Sequence, residues 1–343
     1  MNGTTGNMET ANVYNNGNLS GNGSRTGIMN ISASMNMAMN ILTIAILFIT
    51  MISIGCTMEI SKIKAHLLKP KGVAIALLAQ FCIMPLTAFC LAKSLQMDPI
   101  KAVTVLICGC CPGGSLSNLF SLLVEGDMNL SIVMTTCSSL AAFGLMPLLL
   151  YILCQWFSGL ENAVPYIGII TTLVSTLVPC GFGILINHYK PAYASTVKQV
   201  GLSILLVSTI VLVILSSFAV KDVIWMILMP DILSVAVLMP LIGFTLGYVM
   251  SSICKLSPQF SRTISMETGC QNIQLCTAIL KVAFSPQVIG PMFLFPLLYM
   301  TFQCTEAIIL ALFFRCYKTL KPPAADIRME YYVDVKQEEV KQP

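Results

Sequence analysis

The chain has 343 residues, of which 56% are drawn from Ala, Val, Ile, Leu, Met, Phe, Trp, Tyr and Cys and only 10% are charged; its mean hydropathy is +0.82. A soluble domain carries about 25% charged residues, so the composition excludes a soluble enzyme and a disordered protein and points to a polytopic membrane protein. The net charge of +4 is small and spread over loops and tail, which argues against nucleic acid as a partner.

Residues 1–36 are mostly Asn, Gly, Ser and Thr, cannot bury a core, and are expected to be disordered. No basic start followed directly by an apolar stretch is visible, so no cleavable leader is expected. Asn-x-Ser/Thr sequons at Asn2, Asn18, Asn22 and Asn30 fit a glycosylated extracellular tail; a fifth, at Asn129, adjoins a membrane segment and is expected to be unused.

Apolar runs then predict nine helical segments, roughly 37–58, 71–93, 100–124, 128–155, 166–187, 199–219, 225–254, 264–284 and 287–317. A transmembrane barrel is excluded, because its signal is alternating segments of about 10 residues. The seventh segment is long and broken near Pro230 and Asp231. With an outside start, the inside loops and tail hold twelve Lys and Arg against five outside, leaving Lys336 and Lys341 aside. That is the positive-inside bias, and it agrees with the sequons. Residues 318–343 read as a cytoplasmic tail. Of the fourteen cysteines most lie in apolar runs and read as small hydrophobes. Cys108, Cys110 and Cys111 are spaced like a metal cluster, but no His or acid is near them in sequence.

The chain repeats. Met84-Pro85-Leu86 in the second segment recurs as Met239-Pro240-Leu241 in the seventh, and Pro147-Leu148-Leu149 in the fourth recurs as Pro296-Leu297-Leu298 in the ninth. The third and eighth segments each carry a glycine-containing polar interruption. A shift of five segments puts equivalents in opposite orientations, so the repeat is inverted, which is the build of secondary transporters.

The first interruption runs from Cys108 to Asn118 around Pro112, Gly113 and Gly114. Proline removes a backbone donor and paired glycines favour unwinding, so carbonyls there lose helical partners. Ser117 and Asn118 follow, and Ser131 and Thr135 share one face of the next helix. A plain proline kink with back-bonded hydroxyls is the competing reading. The second interruption, Ser265 to Gln274, holds Glu267, Gln271, Asn272 and Gln274. An intramembrane acid defaults to a functional reading, and Glu267 needs a cation or a proton. One carboxylate among neutral oxygens suits sodium better than calcium; a proton-coupled site stays open. Gln80 in the second segment could reach the same place or form an ordinary interhelical bond. Glu306 is a second buried acid, for which a structural role, neutral and bonded to Thr305 or Gln303, and a functional role are equally open. Glu125 and Asp127 read as solvated loop charges. His66 and His188 are expected in loops without a catalytic partner, so no enzyme is expected.

The stretches Cys110-Cys111-Pro112-Gly113-Gly114, Gly126 to Ser131, Met134 to Ser138 and Glu267-Thr268-Gly269-Cys270-Gln271-Asn272 resemble signatures of the sodium/bile-acid cotransporter family. The resemblance covers about residues 37–317. Ser61 to His66 and Val288-Ile289-Gly290-Pro291 are more similar to its hepatic branch than to its ileal one, while the tails match neither closely. The resemblance implies an all-α fold with a panel domain (37–58 and 165–220) and an ion-binding core domain (71–156 and 225–317). Two interrupted helices cross in that core beside two sodium sites. One site would use Ser117, Asn118, Ser131, Thr135 and Glu267. The other would use Gln80, Glu267 and Gln271 with carbonyls near Thr268 and Cys270. Substrate contacts are implied near Asn272, Gln303 and Ser115. The implied activity is sodium-coupled import of conjugated bile salts or related amphipathic sterol anions across the plasma membrane, with sodium co-transported and not catalytic. A sodium-dependent carrier of sulfated steroids or other organic anions and a non-transporting receptor of the same fold are the rivals.

Overall fold

Prolines and short polar residues mark where the helices begin. The computed structural model describes residues 33–57, 71–158, 164–219, 229–284 and 286–320, all within the unit Ile31–Pro343. The four N-terminal sequons, His66 with its motif, and the tail beyond residue 320 lie outside the described residues. Among those residues the chain is helical and has no strand. The helices are α1 (Ala33–Thr57), α2 (Lys71–Ser94), α3 (Pro99–Cys110), α4 (Ser115–Leu123), α5 (Met128–Cys154), α6 (Tyr166–Tyr189), α7 (Pro191–Ala219), α8 (Pro230–Ile253), α9 (Pro258–Gly269), α10 (Ile273–Ala283) and α11 (Gly290–Leu320). Of these, α2, α5, α6, α8 and α11 are long and apolar enough to cross a membrane, as a multi-pass membrane protein requires. A helix starts at Pro230, where the seventh segment was expected to break, since proline tolerates the first turn where its missing N–H is not needed; residues 220–228 lie outside the described residues.

Hydroxyls inside the apolar helices are bonded along their own helix. Thr50 Oγ1 donates to Ile46 O at 2.8 Å, Thr104 Oγ1 to Ile100 O at 2.8 Å and Thr136 Oγ1 to Ile132 O at 2.7 Å. Each of these polar groups is thereby satisfied without water.

The two interrupted segments are built alike. The turn into α3 ends α2 with Gln96 in the left-handed region (φ 48°), and Met97 N donates back to Ala92 O at 3.0 Å. The turn into α9 ends α8 with Lys255 in the same region (φ 57°), and Leu256 N donates to Ser251 O at 3.1 Å. Both are Schellman closures, followed by an extended residue and a proline, Asp98-Pro99 and Ser257-Pro258. Ala88 of α2 rests on Gly109 of α3, and Gly243 of α8 rests on Gly269 of α9.

Elsewhere α1 packs chiefly on α6 and α7, and α6 also touches α10. Gly55 and Gly183 bring α1 and α6 together at a separation that leaves no room for a Cβ on either. The largest core joins α2, α3, α5, α8, α10 and α11, with Met84, Met146, Met239, Phe295 and Tyr299 essentially unexposed.

Candidate functional site

Pro112 and the adjacent glycines interrupt one segment between α3 and α4, and Cys270 to Asn272 interrupt the other between α9 and α10. The loosened segments do not leave their backbone groups bare. They run antiparallel past one another and pair at Gly113 and Gln271. Gly114 N donates to Cys270 O at 3.2 Å, and Asn272 N donates to Pro112 O at 2.9 Å. Each break thus supplies the partners the other lacks, which is how irregular backbone survives at membrane depth. Gly114 also has to be small, because its Cβ would lie 2.7 Å from Gln271 O.

Around this crossing the structure brings the first expected set together. Glu267, at the end of α9, is 2% exposed. Its Oε2 accepts from Ser117 Oγ at 2.5 Å and lies 3.5 Å from Ser131 Oγ; its Oε1 accepts from Thr135 Oγ1 at 2.7 Å. Asn118 Oδ1 accepts from Ser131 Oγ at 2.7 Å and lies 3.4 Å from Thr135 Oγ1. Ser117 Oγ also meets Gly114 O at 2.6 Å. Each hydroxyl has one proton, so three protons face two carboxylate oxygens, an amide oxygen and backbone carbonyls. No cationic side chain reaches Glu267 among the described residues.

Of the second expected set, Gln80, Gln271 and the Thr268 carbonyl are brought together. A π-helical turn, Ala79–Ile83, interrupts α2 where Gln80 sits, a device frequent at functional positions. Gln80 Nε2 donates to Cys111 O and to Gln271 Oε1, both at 2.8 Å, and Gln271 Nε2 donates to Thr268 O at 3.2 Å. Gln80 Oε1 is buried with no hydrogen-bond partner among the described residues. The hydrogen bonds of Glu267 go to the first set alone. Gly113 links the two sets, paired with Gln271 and pressed against the Glu267 carboxylate.

Of the expected substrate contacts, Asn272 caps α10, its Oδ1 accepting from Leu275 N at 3.0 Å. Ser115 opens α4, half-buried. Gln303 on α11 is fully buried, and its Oε1 accepts from Gln271 N at 3.0 Å. Glu306 lacks the bonds of its structural role: neither carboxylate oxygen has a partner among the described residues, because Thr305 Oγ1 turns back to Thr301 O and Gln303 turns to Gln271. Asp127 is no free loop charge either. It is half-buried and caps α5, accepting from Leu130 N at 2.7 Å. Glu125 is exposed and held by Lys318 at 2.7 Å, whose hydrogen bond keeps its carboxyl below the usual range. The thiols of Cys108, Cys110, Cys111 and Cys276 are fully buried in the core.

Two residues at the crossing escaped sequence reasoning. Ser121 Oγ lies 3.2 Å from Ser131 Oγ, and its place one turn after Ser117 was the available signal. Tyr299 OH donates to Gly269 O at 3.3 Å, closing the end of α9; nothing local in an apolar helix distinguishes that tyrosine.

The Sodium Bile acid symporter family matches residues 44–226. The chain is 50% identical over 298 residues to the hepatic sodium/bile acid cotransporter of Homo sapiens, covering 86% of this chain and 85% of that protein. It is 38% identical over 290 residues to the human ileal sodium/bile acid cotransporter, covering 84% and 83%. It is 36% identical over 295 residues to the human sodium-dependent organic anion transporter, covering 84% and 77%. The greater likeness to the hepatic than to the ileal relative agrees with the motifs at Ser61 to His66 and Val288 to Pro291.

Proposed function

The chain belongs to the sodium bile acid symporter family, and from that premise we propose that it imports conjugated bile salts of the taurocholate type, driven by sodium, across the plasma membrane. The observation that carries this reading is the oxygen set around Glu267, rich in lone pairs and short of protons. A buried carboxylate without a cationic partner is costly, and a desolvated monovalent cation is the species that such oxygens complement.

In this reading Ser117, Asn118, Ser131, Thr135 and Glu267 hold one sodium ion. Gln80, Glu267 and Gln271 hold a second with carbonyls of Thr268 and Cys270, and the unengaged Gln80 Oε1 supports that assignment. The mechanism follows from the pairing of the breaks. Sodium at Glu267 draws α4, α5 and α9 onto one centre and fixes the crossing, which completes the anion site near Asn272, Gln303 and Ser115. Nine membrane segments form an inverted repeat. A core of 71–156 and 225–317 then moves against a panel of 37–58 and 165–220, exposing the site to alternate sides. The N-terminal tail is extracellular and glycosylated, and the C-terminal tail cytoplasmic. Each positive charge carried inward across 100 mV contributes about 2.3 kcal/mol, so two sodium ions with one monovalent anion make the cycle electrogenic.

The relative named for organic anions supports a second reading, in which sulfated steroids are the cargo; a non-transporting receptor is the third. Uptake of labelled taurocholate by cells expressing the chain, in sodium and in choline medium with steroid sulfates as competitors, separates them. Sodium-dependent taurocholate uptake is expected. Uptake of steroid sulfates alone moves the chain to the second reading, and uptake of neither moves it to the receptor.

A further inference from the structure

The buried face of α11 carries polar atoms that the sodium sites do not use. Tyr299, Gln303 and Glu306 follow one another at helical spacing, and Tyr299 and Gln303 both reach the second break. The orientation of the Gln303 amide is set by its neighbour: Oε1 must face the donating N–H of Gln271, so Nε2 faces the other way. That Nε2 is buried and has no hydrogen-bond partner among the described residues. One turn on, both oxygens of Glu306 are shielded and equally unpartnered. Tyr299 cannot serve them, because its hydroxyl is given to Gly269 O. No lysine, arginine or histidine forms an ion pair with Glu306 among the described residues.

A donor and an acceptor, both unclaimed, therefore stand one turn apart on the face that lines the crossing. An ionised carboxylate only accepts, and the Gln303 Nε2 only donates. A hydroxyl group complements both, giving its proton to Glu306 and its lone pair to Gln303. A ring ketone complements one alone, since it meets the amide but turns its own lone pairs toward the carboxylate. A bare cation suits the carboxylate and is repelled by the amide N–H. We infer that Glu306, acting with Gln303, reads a ring hydroxyl of the transported sterol anion and so makes hydroxylated bile salts preferred over keto steroids. This deepens the proposed function and rests on it. A site built to hydrogen-bond a hydroxyl rejects analogues lacking it far more strongly than an apolar pocket rejects a change of size.

The test uses the full chain, Glu306→Gln and Glu306→Leu in cells, with surface amounts measured. Labelled taurocholate uptake in sodium medium is inhibited by taurocholate and by a taurine conjugate bearing ketones at the same ring positions. The wild type is expected to favour the hydroxylated compound by about tenfold or more. Glu306→Gln, which can donate to a ketone, should narrow that ratio, and Glu306→Leu should erase it. The sodium concentration for half-maximal uptake should stay unchanged in both. Variants that keep the wild-type ratio overturn the inference. So does a shifted sodium dependence with an unchanged ratio, because the carboxylate then serves a cation. A wild type that transports taurocholate without a hydroxyl preference sinks this inference alone, whereas absence of sodium-driven taurocholate uptake sinks the functional reading and this one with it. Should Glu306→Leu fail to reach the surface, Glu306→Gln carries the comparison.

Discussion

Gly113 and Glu267 are in such close contact that a Cβ on the glycine would collide with the Glu267 Oε1 atom. The carboxylate therefore occupies space that only glycine leaves open, and the same residue pairs its backbone with Gln271. Gly113→Ala should push Glu267 off Ser117 and Thr135 while leaving every ligand side chain present. Sodium-driven uptake is expected to fall more than tenfold with the protein still at the surface, and near-normal uptake by this variant would show that the position of Glu267 is not critical.

Thr135 Oγ1 donates to Glu267 Oε1 at 2.7 Å and lies 3.1 Å from Ser131 O. Thr135→Val keeps the shape and removes the oxygen, leaving a buried charged acceptor short by a bond that contributes about 1.5–3 kcal/mol. The concentration of sodium needed for half-maximal uptake should rise roughly tenfold or more. Thr135→Ser, which keeps the hydroxyl, should stay within about threefold of the wild type. Equal behaviour of the two variants would remove Thr135 from the ion site.

Much of this architecture was legible from residue types. The intramembrane Glu267, the Pro112-Gly113-Gly114 break and the Ser131–Thr135 spacing each violate what an apolar helix ordinarily tolerates, so each announces itself. The pairing of the breaks was not legible, because backbone bonds between Gly114 and Cys270 or Asn272 and Pro112 depend on where two segments more than 150 residues apart are brought. The same holds for Gln303, which in sequence is one amide in an apolar run and in space completes the N–H of Gln271. Glu306 does not bond to Thr305 or Gln303, as its structural role required, since these neighbours are drawn to other partners.

The turn between α8 and α9 places Lys255 at φ 57°, a conformation that costs a non-glycine residue about 1–2 kcal/mol. Lys255 is exposed and forms no side-chain hydrogen bond or ion pair among the described residues. Lys255→Gly should relieve the strain and raise the thermal midpoint of the detergent-solubilised protein, by up to about 1 kcal/mol of stability. Lys255→Val should lower it, because branching at Cβ is least tolerated there. Unchanged midpoints in both variants would mean that the Schellman closure at Ser251 and Ser252 does not limit stability.

At the end of the helices away from Lys93 and Lys101, Arg262 joins α9 to the turn before α5: its guanidinium donates to Val124 O at 2.7 Å and to Glu125 O at 2.8 Å, and stacks 4.6 Å from the Phe314 ring of α11. Lys318 adds only an exposed ion pair with Glu125. Arg262→Ala should therefore destabilise the protein more than Lys318→Ala, because it strips two carbonyls and a ring contact where the other removes a solvated pair. The pH dependence distinguishes them further. The Lys318 hydrogen bond lowers the Glu125 carboxyl in the folded chain, so its contribution is present at neutral pH and is lost as the pH falls through that lowered value. Thermal midpoints of the wild type and Lys318→Ala should converge only below the ordinary glutamate value of about 4.3, whereas the deficit of Arg262→Ala should persist there, since its bonds end on backbone carbonyls that do not titrate.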